Sequence, residues 1–328
     1  MFDDQRGALR ESRKPSLRAR AFIAALRLTG AKKTFASAEA LDRSIPKSQR
    51  PERDRPPSSL YRNHRVTHRE IYGRPVYTIR PRTGGTTRHV YYLHGGAYVH
   101  QIQRDHWKFL SRLVDRTGCT VTVPLYPLAP GHHCDDTIPM VVAAHDAAFA
   151  DTAPEDKVFM GDSAGGALAL VLAREIGAAG EAAPKEVVMV SPWLDVTMTD
   201  PAARAIDPED PYLAVAGLIE AGRLYAGEHD RCDPTISPLY APAAAPGALS
   251  LFIGTRDVLL ADARRFRARC AAEGVELGYF EYDGMFHAWL LADLPESRHA
   301  MSQLEGGGGK NTPAGAKGCV FCLNSGYF

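Results

Sequence analysis

Residues 157–177 read KVFMGDSAGGALALVLAREIG. An apolar run is followed by Gly161-Asp162-Ser163-Ala164-Gly165 and then by alanine- and leucine-rich text with the character of a helix. A serine hydroxyl is a poor nucleophile unless it is exposed, held beside a base and close to donors that accept developing negative charge. A strand, a sharp turn and a helix meet the first need, because glycines on both flanks let the backbone close while Ser163 is pushed outward. The helix that starts at the serine also aims unpaired N–H groups into the same space. G-x-S-x-G alone recurs by chance, and its position between an apolar run and a helix is what gives it weight.

The pattern around this turn repeats along the chain. Short apolar runs at VYYLH (near 90), CTVTVPLY (near 120), KVFMG, EVVMVS (near 187), LSLFIG (near 250) and LGYFEY (near 278) alternate with helical text at roughly 104–117, 137–150, 163–178 and 260–273. Runs apolar on both faces and separated by helices predict an α/β architecture, a mostly parallel sheet covered on each side. A hairpin is expected at Gly73-Arg74. The connection from Asp195 to about Tyr240 is longer than any other and carries its own helical text, PYLAVAGLIEAGRLYAG. Connections of that length are uncommon unless they do something, so an insertion folded over one end of the sheet is expected. SIPKSQRPERDRPPSS reads as an exposed, irregular connector. The division that follows is 1–60 for N-terminal helices and linker, 61–305 for the core with 195–240 inserted in it, and 306–328 for a Gly-rich flexible tail of appended character.

Composition bounds the function classes. The 328 residues are 45% hydrophobic and 23% charged with a formal charge of +1, which fits a globular protein and gives no reason to expect nucleic acid as a partner. Basic residues from Arg10 to Lys33 crowd around the short apolar AFIAAL, a pattern for an amphipathic helix with one face on the core. A spanning helix needs about 20 apolar residues and a signal peptide a longer apolar segment, so a cytoplasmic protein without a membrane span is expected. Cys119, Cys134, Cys232 and Cys270 lack metal-ligand spacing and read as reduced thiols; Cys319 and Cys322 form an isolated CxxC with no second ligand pair. No metal and no cofactor is expected.

Three further elements complete the chemistry. YLHGGAY places Gly95-Gly96 after a strand, where backbone N–H groups can approach an oxyanion together with that of Ala164; His94 is expected to brace this loop. The base is expected to be His287 in YDGMFHAWL, which follows the last apolar strand, whereas His132, His133, His64, His68 and His89 read as surface residues. Asp257 in LFIGTRDVLLAD directly ends a strand and is expected to orient His287; Asp162 should point away from the cleft, and Asp195 and Asp262 stand outside the site. The order Ser163, Asp257, His287 is that of the α/β-hydrolase fold.

These stretches, with VPLYPLAP, SPWLD, DPTISPLYA and GTRDVLLADA, closely resemble the hormone-sensitive-lipase-like (bacterial family IV) esterases over about residues 65–295. The resemblance implies that Gly96, Ala97 and Ala164 donate to the oxyanion, with Ala97 where most members have a third glycine. It also implies that the N-terminal helices and the 195–240 insertion form a helical cap, that short acyl esters are hydrolysed without cofactor, and that a homodimer can form through an edge strand. The expected function is a serine carboxylesterase acting through an acyl-enzyme. An amidase or peptidase using the same triad, or a ligand-binding homologue that has lost its base, are the alternatives.

Overall fold

In the computed structural model, the described residues are 8–11, 14–50 and 55–305. The CxxC and the 306–328 tail lie outside them. Nine strands form one sheet: β1 (Ala8–Glu11), β2 (His64–Ile71), β3 (Arg74–Pro81), β4 (His89–Leu93), β5 (Thr120–Pro124), β6 (Lys157–Asp162), β7 (Glu186–Val190), β8 (Ala248–Gly254) and β9 (Leu277–Tyr282). Ten α-helices accompany them among the described residues: α1 (Leu17–Thr29), α2 (Ala38–Ser48), α3 (Ser58–Asn63), α4 (Arg104–Thr117), α5 (Cys134–Phe149), α6 (Ala164–Ala178), α7 (Pro201–Ile206), α8 (Val215–Ala226), α9 (Leu260–Glu273) and α10 (Pro295–Leu304).

The spatial order is β1-β9-β8-β7-β6-β4-β5-β3-β2, parallel except where β3 meets β2 and β5. The expected hairpin joins β2 to β3 through Tyr72 and Gly73, both at positive φ (51° and 69°), the backbone a tight two-residue hairpin turn requires. After β4 the chain first adds β5 on one side and then β6 on the other. The strand order therefore reverses between β4 and β6, and the carboxyl ends of strands at such a reversal border the crevice where α/β sheets hold ligands.

Strand residues alternate between two cores. Tyr91, Leu93 and Phe159 face the core shared with α5, α6 and α9, while Val90, Tyr92 and Met160 face the one shared with α4 and α10. Both faces are buried, which is why these strands read as continuous apolar runs. Each large apolar side chain so removed from water contributes about 1.5–3 kcal/mol.

The N-terminal segment packs as an amphipathic helix should. Ser16 caps α1 by accepting from the Ala19 N–H (3.1 Å) and ties it to α10 through Glu296, Ala19 and Ile23 are buried, and Leu28 is 88% exposed. The connector expectation needs correction. SIPKS is the end of α2, where Ile45 is buried and Pro46 sits near the terminus, so little of the helical ladder is lost, and Ser58 begins α3. The inserted segment contributes α7 and α8, and α8 lies so close to the 3-10 turn Ala31–Phe35 that a Cβ at Gly217 would overlap the backbone of Phe35. No helix among the described residues is long and apolar enough to cross a membrane.

Candidate active site

Ser163 stands between β6 and α6 with φ 54° and ψ −124°, a conformation that L residues avoid and that only surrounding structure can impose. The two flanking glycines explain how it is imposed. A Cβ on Gly161 would overlap the Gly165 carbonyl, and one on Gly165 would overlap the carbonyl of Leu93 at the end of β4. The turn is stitched down by Ser163 N–H to Val190 O (2.8 Å) and by Trp193 N–H to Ser163 O (3.0 Å). Ser163 is 4% exposed at the carboxyl end of the sheet.

The loop after β4 lies alongside. His94 is buried, stacks on Tyr126 with centroids 4.4 Å apart, and bonds Gly95 O through Nδ1 (2.8 Å); burial, with His106 nearby, lowers it to about 4, so it stays neutral and braces the loop. Tyr126 donates its hydroxyl to His94 O. Gly95 requires a correction: its N–H is donated to Asp162 Oδ1 (2.9 Å), so it is spent on positioning the loop and is not free for an oxyanion. The N–H groups of Gly96, Ala97 and Ala164, by contrast, make no hydrogen bond among the described residues. Ala97 adopts φ 53°, a left-handed backbone that glycine would reach without strain. Tyr98 locks the loop to the serine helix, its hydroxyl bonding Ala164 O (2.9 Å).

Asp162, expected to point away from the cleft, anchors this loop. It receives Tyr92 Oη (2.6 Å), Gly95 N–H and His106 Nε2 (3.3 Å). Burial works to raise its carboxyl, but His106, Tyr92 and Gly95 outweigh that and hold it below its ordinary value.

Asp257 and His287 stand on the turns after β8 and β9. Asp257 is fully buried; its Oδ2 lies 3.0 Å from His287 Nδ1 and its Oδ1 accepts the Leu259 N–H at 3.0 Å. The two turns are bonded to each other by Thr255 N–H to Tyr282 O (3.0 Å) and Arg256 N–H to Met285 O (2.9 Å). Burial works to lower His287, but Asp257's charge and hydrogen bond, with Asp210 and Asp162 behind them, raise it above the ordinary imidazole value.

The turns that bear Ser163 and His287 are tied to each other through their neighbours. Ser163 N–H bonds Val190, and the next residue, Ser191, accepts the N–H of Ala288 on its hydroxyl (3.1 Å). No hydrogen bond joins Ser163 Oγ to His287 among the described residues; bonds of this kind often tighten only when substrate is bound.

The competing histidines are elsewhere. His64 and His89, expected at the surface, are buried, with His64 bonding Ser111 (2.8 Å) and His89 bonding Thr122 (2.8 Å) and stacking on Phe149. Burial pushes His89 down to about 3, so it serves as a neutral core residue. His68 is exposed, and His132 and His133 lie at the start of α5. Asp195 and Asp262 meet Arg265 (3.5 and 2.8 Å) at the base of the insertion, and Asp195 also accepts Tyr240 Oη (3.0 Å), joining the two ends of that segment.

Sequence reasoning missed the parts of the insertion that touch the site. Tyr225 of α8 stacks on Tyr98 (3.6 Å, 7°), Tyr212 lies parallel to the His287 ring (6.2 Å, 17°), and Asp210 accepts the N–H of Val258, beside Asp257 (3.0 Å). The available signal was an Asp-Pro at position 210, a residue type that bonds the backbone just after itself.

Comparisons with known proteins agree with this fold. A family model described as alpha/beta hydrolase fold matches residues 90–291. The esterase LipU of Mycobacterium tuberculosis is 30% identical over 237 residues, 67% of this chain and 77% of LipU. An esterase of Acinetobacter venetianus is 28% identical over 226 residues, 66% of this chain and 73% of its own. Among solved structures, an esterase from the bacterial hormone-sensitive lipase family superposes with a TM-score of 0.75 at 26% identity, covering 89% of this chain and 97% of that one.

Proposed function

The chain belongs to the alpha/beta hydrolase family, in its hormone-sensitive-lipase-like branch, and is a carboxylic ester hydrolase; on that premise we propose that it cleaves short-chain acyl esters through an acyl-enzyme on Ser163. His287 takes the hydroxyl proton as Ser163 Oγ attacks the ester carbonyl, and returns it to the departing alcohol. Water, deprotonated by the same imidazole, then attacks the acyl-enzyme and releases the acid. Asp257 keeps the imidazole in the tautomer with the proton on Nδ1 and stabilises its cationic form.

The tetrahedral oxyanion is received by the N–H groups of Gly96, Ala97 and Ala164, and the loss of one such donor typically costs about 10²- to 10³-fold in turnover. The observation that carries this reading is the set of open backbone donors next to a serine held in a strained turn, together with a histidine paired with a buried aspartate at 3.0 Å on a turn tied to the serine's own through Ser191 and Ala288. The N-terminal helices and the 195–240 insertion form the cap that bounds the acyl pocket, a role supported by Tyr225 on Tyr98 and Tyr212 on His287.

A fluorophosphonate probe followed by peptide mass mapping tests nucleophile and reaction class together. Stoichiometric modification of Ser163 is expected. Modification of any other residue, or none at all, would refute the assignment.

A further inference from the structure

Asp210 belongs to the insertion, at the turn between Asp207–Glu209 and α8, yet its side chain reaches out of it. It is 1% exposed. Oδ1 accepts the N–H groups of Tyr212 (2.7 Å) and Leu213 (2.9 Å), the way an aspartate caps the turn that follows it. Oδ2 accepts the N–H of Val258 (3.0 Å), the residue next to Asp257. One donor of the turn that carries the acid is thus satisfied by the insertion and not by the core. The capped turn also sets the Tyr212 ring parallel to the imidazole of His287.

We propose that Asp210 is a positioning residue of the catalytic centre, which holds the Asp257 turn and the His287 ring in register with the insertion. The inference rests on the triad reading above. Its geometric basis is that a carboxylate buried this deeply is costly unless its oxygens are satisfied, and here they are satisfied by backbone on both sides of the insertion–core boundary.

The charged groups that act on His287 are Asp257, in direct contact, then Asp210 and Asp162 at longer range, and the Tyr212 ring lies parallel at 6.2 Å. Those facing Asp210 are Asp257 and His287, while Lys32 Nζ reaches only the backbone carbonyl of Asp210 (3.2 Å). Burial, then the charge of Asp257, pushes the Asp210 carboxyl up to about 7, with His287 and the backbone donors opposing.

The test uses the full chain with Asp210→Asn and Asp210→Ser. Asparagine can still cap Tyr212 and Leu213, but an amide NH₂ turned toward Val258 sets donor against donor; serine can cap the local turn but is too short to bridge. Both variants should fold by circular dichroism and lower kcat for p-nitrophenyl butyrate about 10²-fold, with KM within about twofold. The acidic limb of kcat/KM should move to lower pH, because removing a neighbouring negative charge lowers the pKa of His287.

Wild-type kcat and an unmoved acidic limb in folded variants would overturn the proposal. So would a lowered melting temperature with both kinetic constants and the limb unchanged, or failure of both variants to fold, since either would make Asp210 a purely structural residue. Ser163→Ala is assayed in parallel. Activity in that variant removes the triad reading itself, whereas its inactivity beside fully active Asp210 variants removes only this proposal.

Discussion

The strand-end turns that carry Ser163, Gly96 and His287 are joined mainly by backbone, with Ser191 N–H on Phe252 O (2.7 Å) and Arg256 N–H on Met285 O (2.9 Å) as examples. The segments above them are joined by side chains. Lys32 pairs with Asp207 (2.6 Å), Arg27 with Glu209 (3.6 Å), and Tyr98 with Tyr225 by ring stacking. The first kind of contact has almost no slack, because a carbonyl either has room for a neighbouring Cβ or has none. The second tolerates exchange of residue type where it is half-exposed, since a pair such as Arg27–Glu209 contributes at most about 1 kcal/mol. A rigid rim fixes the chemistry while a more permissive upper layer can change what enters.

That contrast can be broken or sharpened by experiment. Ser163→Ala should keep its circular dichroism spectrum and lose p-nitrophenyl butyrate hydrolysis by about 10⁶-fold, the usual scale for removing a triad nucleophile; near-normal turnover would mean the rim is not where the reaction happens. Gly165→Ala should destabilise the protein by about 1–3 kcal/mol or more, because its new methyl group would meet the Leu93 carbonyl and neither backbone can retreat. A chemical-denaturation midpoint equal to wild type would show that the turn has slack after all.

Smaller in effect is the pH response of the wild type. His287 works as a base only when neutral, and its pKa is raised above the ordinary 6.5, so kcat/KM should fall tenfold per unit as pH drops through a limb lying above that value. A limb below it would mean that burial outweighs the Asp257 pair. Smallest is Arg27→Met, which removes the half-exposed pair with Glu209 in the upper layer. It should cost less than about 1 kcal/mol in stability and leave kcat for butyrate unchanged, while altering how steeply activity declines from butyrate toward palmitate. A large loss of butyrate turnover in that variant would place this ion pair with the rim and erase the distinction.

Legibility followed the same division. The elbow at 161–165, the glycine loop after β4 and the turns bearing Asp257 and His287 could be read because each pairs a local steric requirement with an apolar strand of the right period. Gly95 and Gly96 could not be told apart, since which N–H stays open depends on Asp162 beneath the loop. His64 and His89 looked peripheral because they precede the core in sequence, but Ser111 and Thr122, brought up by other elements, bury and satisfy them. In SIPKSQRPERDRPPSS the prolines and charges suggested a connector, while at its start Ile45 packing into the core holds the end of a helix.

Residue order and spacing alone determined that a hydroxyl, a carboxylate and an imidazole would each stand just after a strand of a parallel sheet, because strand, turn and helix preferences act over a few residues. Only the tertiary structure decided which backbone donors remain open, which histidines are sealed, and that Asp210 reaches across to the Asp257 turn. Those outcomes depend on contacts between residues tens to hundreds of positions apart, whose partners are chosen by packing and desolvation and leave no periodic trace in the chain.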